Sequence, residues 1–190
     1  PLRIMLSAFR RANLRRSIFV KSSGKMWWYD HSVAERLINL IYLYALLDKI
    51  LTLRKKLVQN YVAREIHRLS ILLLSESFYC RNQTTRHHNH GLFQDLSILM
   101  ASNVLEDWGY EVRHLRERGT HRLMDFIDQG FVLEKDYAVS IENSPGYHLG
   151  IQRILESILE SELIRQDESL RFYLTKIRNF SDLISLADGR

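Results

Sequence analysis

Most of the chain places apolar residues at the three- and four-residue spacing of an α-helix. The first such stripe predicts a helix over about residues 32–53, for which Asp30 or Ser32 can act as the N-cap that accepts free backbone N–H groups. The apolar positions of this stripe are Val33, Leu37, Leu40, Ile41 and Tyr44. A second stripe begins near Leu57 and predicts another helix, which continues to about residue 76.

Glycine and polar residues mark the boundaries in the middle of the chain. A polar segment over residues 81–90 predicts a loop, and the helix after it is expected to end at the Trp108–Gly109 pair. Glycine favours that end because it readily adopts the left-handed conformation that terminates helices. The pattern then predicts a helix over residues 111–129, followed by a weakly alternating stretch at residues 131–141 that is compatible with extended structure.

Two further helices are predicted in the last third of the chain. The turn Ser144-Pro145-Gly146 predicts the start of the first of these helices. The second has its apolar stripe at Leu170, Leu174, Ile177 and Phe180. The pattern therefore predicts six helices in antiparallel pairs. Because the chain has no repeat of fixed period and no Ser-, Gly- or Pro-rich linker, we expect a single all-α domain over residues 1–190.

Composition supports the helical prediction and excludes several other classes. Hydrophobic residues make up 46% of the 190 residues, which is typical of a folded chain, and eight glycines with two prolines are too few for the turns of an all-β sandwich. The single cysteine, Cys80, leaves no disulfide pair and no Cys-based zinc site. The longest apolar runs fall far short of the roughly 18 residues that a membrane span needs, so no span is expected. No signal-peptide pattern is present.

The net charge of +5 is concentrated in one segment. Residues 1–25 contain seven basic residues and no acid, which leaves 20 basic and 22 acidic residues in the rest of the chain. Such a segment can contact nucleic acid, an anionic lipid surface or a polyanionic glycan, or it can simply be solvated surface.

The first candidate site lies in residues 87–95, which contain three of the eight histidines. Asn89 and His90 are predicted at a helix N-terminus, where exposed backbone N–H groups and the helix dipole favour a bound carboxylate or other anion. Alternatively, Asn89 merely caps the helix. The spacing of the histidines matches neither the HExxH motif nor a Cys/His finger, which argues against a metal site.

The second candidate site lies at residues 142–148, at the start of another predicted helix. A phenol has a pKa near 10 in water, but a nearby cation or helix dipole lowers that pKa, so Tyr147 can serve as an acid/base group. The alternative is a packed loop aromatic. His148 follows directly and is a candidate for substrate binding.

The third candidate site is the aromatic segment around Trp28, Asp30 and His31, directly before the first helix. Aromatic faces and polar tips bind sugars, although the same residues can plug one end of a helical bundle. Arg36, one turn further on, can form a bidentate pair with a substrate carboxylate or with a structural acid.

Taken together, the segments 28–36 (WYDHSVAER), 89–95 (NHGLFQD) and 142–148 (ENSPGYH) resemble the heparinase II/III-like polysaccharide lyases in order and approximate spacing. The resemblance implies that residues 26–190, which follow the basic N-terminal segment 1–25, are part of an α/α toroid, and that a C-terminal β-sandwich domain completes the enzyme. It also implies a periplasmic or secreted location.

By the same resemblance, the expected activity is β-elimination of uronic-acid-containing glycans, such as heparan sulfate or alginate, without a cofactor or metal. Asn89, His90 and Tyr147 would be catalytic, and Trp28, Asp30, His31, Arg36 and His148 would bind the anionic polysaccharide. Two alternatives remain: a non-catalytic glycan-binding or degenerate lyase domain, and a basic helical nucleic-acid-binding module. The absence of a recognition-helix signature argues against nucleic acid as a partner.

Overall fold

The computed structural model describes residues 30–48, 55–76, 78, 87–164 and 168–187. This part of the chain contains six helices and one small antiparallel sheet. The helices are α1 (Asp30–Asp48), α2 (Lys55–Leu74), α3 (Asn89–Asp107), α4 (Arg113–Gln129), α5 (Pro145–Glu160) and α6 (Glu168–Ala187), and the strands are β1 (Phe131–Leu133) and β2 (Ala138–Ser140). The prediction of a mainly helical fold is therefore confirmed. None of the described helices combines the length and apolar character that crossing a bilayer requires.

Several predicted boundaries are confirmed where a local signal sets them. Helix α3 ends at Asp107, and Gly109 has the left-handed φ of +79° that was expected at this position. Helix α5 begins at Pro145, with Ser144 as its N-cap, whose hydroxyl accepts from the Tyr147 N–H group. The weakly alternating stretch forms the β1–β2 hairpin, in which Phe131 pairs with Ser140.

The start of α1 differs from the prediction. The helix begins at Asp30, so Ser32 lies within its first turn and the predicted N-cap role of Ser32 is wrong. The Ser32 carbonyl instead accepts a hydrogen bond from the Nε atom of Arg36 at 3.3 Å. The predicted end of this helix near residue 53 lies outside the described residues, as do most of the predicted 81–90 loop and the basic segment 1–25.

Two apolar clusters form the core, and both include residues of α3. Ile98 belongs to the cluster built with α1 and α2, whereas Leu99 belongs to the cluster built with the hairpin, α5 and α6. Because α3 is covered on opposite sides, even its small polar residues are buried, and they bond to its own backbone. The hydroxyl of Ser97 donates to the Gln94 carbonyl, and that of Ser102 donates to the Leu99 carbonyl, both at 2.8 Å. Helix α3 is thus the central helix of the described fold.

Side-chain contacts establish the antiparallel orientation of two helix pairs. Arg116, in the first turn of α4, donates to Asn103 near the end of α3 at 2.7 Å, and further along α4 the Cβ position of Gly119 lies 3.2 Å from the Ile98 side chain, nearer the start of α3. Arg178 of α6 donates to Glu156 of α5 at 2.7 Å. Ser181, further along α6, bonds to Gln152, which lies nearer the start of α5. The predicted antiparallel pairing is confirmed for α3 with α4 and for α5 with α6.

A buried arginine joins the end of α2 to α4. Arg122 is only 3% exposed and donates to the carbonyls of Leu73 at 2.9 Å and Leu74 at 2.8 Å. It also pairs with Glu76 at 3.0 Å. These carbonyls belong to the last turn of α2, where no intrahelical N–H group can reach them. Arg122 thereby provides hydrogen-bond donors to two carbonyls at the end of this helix.

A side chain at Gly130 is expected to destabilise the fold, because the backbone of this residue lies against Phe126 in the last turns of α4. A Cβ atom there would lie 2.6 Å from the Phe126 carbonyl oxygen and 3.3 Å from the Phe126 ring. We expect Gly130→Ala to lower the free energy of unfolding by about 1 to 3 kcal/mol, measured by denaturant titration. Gly150→Ala is the matched control, because its Cβ meets nothing within 4 Å and alanine should raise helix stability by about 1 kcal/mol. Equal effects of the two substitutions would contradict this account.

Candidate functional site

The starts of α1, α3 and α5 meet at one end of the fold. The ring of His31, in the first turn of α1, stacks on the ring of His90 in α3, with centroids 4.8 Å apart and an interplanar angle of 26°. The backbone N–H of Asn89 donates to the Oε1 atom of Glu142 at 2.7 Å, and Glu142 lies three residues before α5. All three predicted motifs therefore contribute to this place, which we call the motif cluster.

Imidazole and phenyl rings form the half-buried part of the motif cluster. The rings of His31 and Phe93 pack edge to face, with centroids 4.9 Å apart. The rings of His88 and His90 pack in the same way, with centroids 5.3 Å apart. The Nε2 atom of His31 also lies 3.3 Å from the carboxylate of Glu35, one turn along α1. Ring packing thus fixes the orientation of His31 and His90 relative to each other.

The backbone at the start of α3 is bonded within the chain. His88 rather than Asn89 is the N-cap, and its Nδ1 atom accepts from the His90 N–H group at 3.2 Å. The carboxylate next to the Asn89 N–H group is that of Glu142. The alternative in which Asn89 caps the helix is therefore wrong. The anion that the helix dipole stabilises at these N–H groups is a side chain of the protein itself.

The side chains of Asn89 and Tyr147 keep their functional groups available. The half-buried amide of Asn89 makes no hydrogen bond to any part of the chain that the structure describes, and the same is true of the phenol of Tyr147, which is 52% exposed. An amide offers donors and an acceptor, and a phenol offers one proton. Both groups can therefore interact with a ligand without breaking an internal bond among the described residues.

The structure corrects the predicted role of His148. This side chain is 2% exposed, its Nδ1 atom accepts from the Ser140 N–H group at 3.4 Å, and its Nε2 atom donates to the Ile177 carbonyl at 3.2 Å. The rings of Phe131 and Phe180 face it at 6.1 and 4.9 Å between centroids. His148 therefore joins the hairpin, α5 and α6, and it offers no surface for a sugar.

Acidification is expected to destabilise the fold through His148. Burial lowers the pKa of this imidazole below its ordinary value, although the bond to the Ile177 carbonyl acts in the opposite direction. The unfolded state then binds the proton more readily, so this contribution to stability is complete above about pH 6.5 and is lost as the pH falls below it.

The measurement is the melting temperature from about pH 8 down to about pH 5, the range in which histidine titrates. His148→Gln keeps a donor for the Ile177 carbonyl but cannot be protonated, so its melting temperature should depend less on pH than that of the parent protein. His121→Gln, at an exposed position on α4, should keep the parental dependence. A parental dependence in His148→Gln would contradict the assignment.

The remaining predicted residues differ in how far the structure describes them. Arg36 is half-buried in α1 and bonded to the Ser32 carbonyl. Asp30 is the first residue of α1, but its side chain lies outside the description, and Trp28 lies outside the described residues altogether. Among the described residues, no group of three or more His, Cys, Asp or Glu side chains is placed to hold a metal ion.

Glu142 is a member of the motif cluster that the sequence pattern did not identify. Its own N–H group donates to the Ser140 hydroxyl at 3.3 Å, and the next residue, Asn143, has a left-handed φ of 51°, which asparagine tolerates better than most residues. This tight turn holds the carboxylate against a helix that begins 53 residues earlier in the chain. The sequence showed that Glu142 lies in a polar turn, but it did not indicate that the Asn89 N–H group is the partner of its carboxylate.

Comparisons of the chain with protein-family models, curated proteins and solved structures find no match.

Proposed function

We propose that this chain is part of the helical domain of a lyase that cleaves uronic-acid-containing polysaccharides by β-elimination. The observation that carries the proposal is the 2.7 Å hydrogen bond from the Asn89 N–H group to Glu142. This bond joins the NHGLFQD and ENSPGYH segments, which would hold the catalytic amide and phenol. The stacking of His31 on His90 adds the WYDH segment to the same place.

The residue types suit the charge changes of this reaction. When a base removes the proton from C5, the electron pair of the C–H bond moves toward the adjacent carboxylate and gives it enolate character. In the proposed mechanism the Asn89 amide donates a hydrogen bond to that carboxylate, and His90 acts as a second donor. Donors held in place before the reaction stabilise developing charge without reorganising. The nearby helix N-terminus has the favourable dipole direction.

Tyr147 is the proposed proton donor for the second half of the reaction. As the C4–C5 double bond forms, the bond from C4 to O4 breaks, and the departing oxygen takes a proton from the phenol. The same residue can act as the base in the first step, or the C-terminal β-sandwich domain can supply that group. The exposed position of Tyr147 supports this role, because a phenol enclosed in the core could not reach a polymer.

Side chains around the motif cluster would bind sugar, and the helices around it would belong to an α/α toroid. His31 and Arg36, together with Trp28 and Asp30, would hold neighbouring sugar units. Helices α1, α3 and α5 start at the same end, as expected for helical hairpins that alternate in direction around an α/α toroid. The periplasmic or secreted location belongs to the same proposal.

The test is a glycan panel with the full-length protein. Heparan sulfate, alginate and other uronate polymers are incubated with it, and a neutral glucan that contains no uronate serves as the control substrate. Cleavage is expected to produce a rise in ultraviolet absorbance from the unsaturated uronate on at least one polymer. Binding of a uronate polymer without any rise would favour a non-catalytic glycan-binding domain, and the absence of both would contradict the proposal.

A further inference from the structure

A cavity of about 590 Å³ opens between α1, α3 and α5. Its wall includes Tyr42 of α1, Leu96 and Met100 of α3, and Arg153, Ile154 and Ser157 of α5. These helices are the three whose first turns approach one another at the motif cluster. We call this space the inter-helix groove.

On α5, Ile154 and Ser161 are the groove residues that share a face with Tyr147, whereas Arg153 and Ser157 lie about 80° to 120° around the helix from it. Ile154 follows Tyr147 by seven residues, which is close to two helical turns, so the two side chains project within about 20° of each other. Ser161, directly after the helix, continues the same seven-residue spacing and also lines the groove. The proposed proton donor therefore stands at one end of a row of side chains that leads into the groove.

The same relation holds on the two other helices. Tyr42 follows His31 by eleven residues, and Met100 follows Asn89 by eleven residues. Eleven residues are close to three turns, so each pair shares a helix face and is separated by about 16 Å along the axis. On all three helices a residue of the proposed site therefore shares its face with a residue that lines the groove. The inter-helix groove and the motif cluster therefore lie along shared faces of α1 and α3.

The side chains in the groove suit an acidic sugar. Tyr42 is 59% exposed, so its ring can lie against the apolar face of a pyranose. Glu156, the acid nearest to Arg153 in sequence on α5, is bonded to Gln152 at 3.0 Å and to Arg178 at 2.7 Å. The charge of Arg153 helps to lower the pKa of the Glu156 carboxyl, after the larger effects of the Gln152 and Arg178 hydrogen bonds, but within the described ranges no ion pair closer than 4.0 Å involves Arg153.

Hydrogen-bond acceptors complete the groove. The Ser157 hydroxyl donates to the Arg153 carbonyl at 2.9 Å, so its lone pairs remain available to accept from sugar hydroxyls. The Glu160 carboxylate is a second acceptor, and it lies two turns further from Tyr147 than Arg153 does. A uronate in the groove would therefore direct its carboxylate toward Arg153 and its hydroxyls toward Glu160.

We propose that the inter-helix groove is a second sugar subsite, in which a uronate unit stacks on Tyr42 and pairs its carboxylate with Arg153. A guanidinium binds a carboxylate through two parallel hydrogen bonds, which selects for an acidic sugar over a neutral one. This inference rests on the proposed function, because it takes the polymer at the motif cluster to be the same chain that enters the groove.

The experiment compares short and long substrates on the full-length protein. The probes are a disaccharide and a hexasaccharide of the uronate polymer that the protein cleaves, or of alginate if it cleaves none. The test variants are Arg153→Met and Tyr42→Leu. Arg171→Met and Tyr110→Leu are the matched controls, since both residues are exposed and neither lines the groove. Melting temperatures confirm that all four variants are folded.

We expect Arg153→Met to raise the KM for the hexasaccharide about tenfold, the loss typical of one charge-assisted hydrogen-bonded pair. Tyr42→Leu should raise it as well, while kcat for the hexasaccharide and KM for the disaccharide stay near the values of the controls. Calorimetric binding of the hexasaccharide should weaken by the same factor.

The outcomes separate this inference from the proposed function. If the parent protein cleaves the hexasaccharide and both groove variants keep its KM, the subsite is contradicted and the proposed lyase function is not affected. Hexasaccharide binding that Arg153→Met weakens and Arg171→Met does not, without cleavage by the parent, would support the subsite and contradict the lyase. A parent protein that neither binds nor cleaves the hexasaccharide would overturn both.

Discussion

Replacing Tyr147 with phenylalanine in the full-length protein is expected to reduce turnover of the uronate polymer by about 10² to 10⁴, the usual contribution of a positioned proton-transfer group. The ring remains in the Tyr147→Phe variant, so glycan affinity should change little. The phenol makes no hydrogen bond within the described structure, so the melting temperature should also stay close to that of the parent. Initial rates of unsaturated product formation, together with calorimetric binding, measure the two effects separately.

Tyr110→Phe is the matched control for this loss. Tyr110 is also exposed, but it lies just after α3, at the opposite end of that helix from Asn89. Its variant should keep the parental rate. A Tyr147→Phe protein with the parental rate would remove Tyr147 from the mechanism, and equal losses in both variants would point to a general effect of removing a surface phenol.

The second large effect is expected for Asn89→Ala. Removing one donor that stabilises developing charge typically reduces the rate by about 10² to 10³. Because the charge on the substrate carboxylate grows only as the C5 proton leaves, the loss should appear in kcat more than in KM. The 2.7 Å bond to Glu142 comes from the backbone N–H group, which alanine retains, so the fold should remain intact.

Asn60→Ala provides the corresponding control, since Asn60 is exposed on α2. Rates and melting temperatures are measured for both variants on the same glycan. The combination expected for Asn89→Ala is a large loss of turnover with a parental melting temperature. A large fall in its melting temperature would instead show that the amide supports the start of α3, and an unchanged rate would exclude it from the reaction.

Local signals in the sequence predicted the elements that depend on neighbouring residues alone. Gly109 was expected to end a helix because its left-handed conformation is accessible to glycine, and it does so. The Ser144-Pro145 pair was expected to start α5, because the serine hydroxyl can bond to a free N–H group and proline lacks the N–H group that would have no partner there. Cap and turn chemistry acts over a few residues, so it can be inferred without the fold.

Residues with roles set by distant partners were predicted less well. His148 was identified as a candidate but assigned to substrate binding, whereas Ser140 and Ile177 hold it in the core. Arg122 was not singled out, because nothing near it indicates that it bonds to the last carbonyls of α2. Burial of a polar side chain depends on which elements pack over it, and the sequence pattern does not contain that information.

Apolar spacing and capping residues act within a few turns, so the sequence was sufficient to predict a mainly helical chain and several of its helix boundaries. It also indicated the three segments that contain the candidate groups. That these segments meet, through the Asn89–Glu142 bond and the His31–His90 stack, follows from the packing of the helices and could not be read from their separate patterns, and the same is true of the cavity between α1, α3 and α5. Contacts between residues more than fifty positions apart depend on how whole helices pack, and packing is a property of the assembled core.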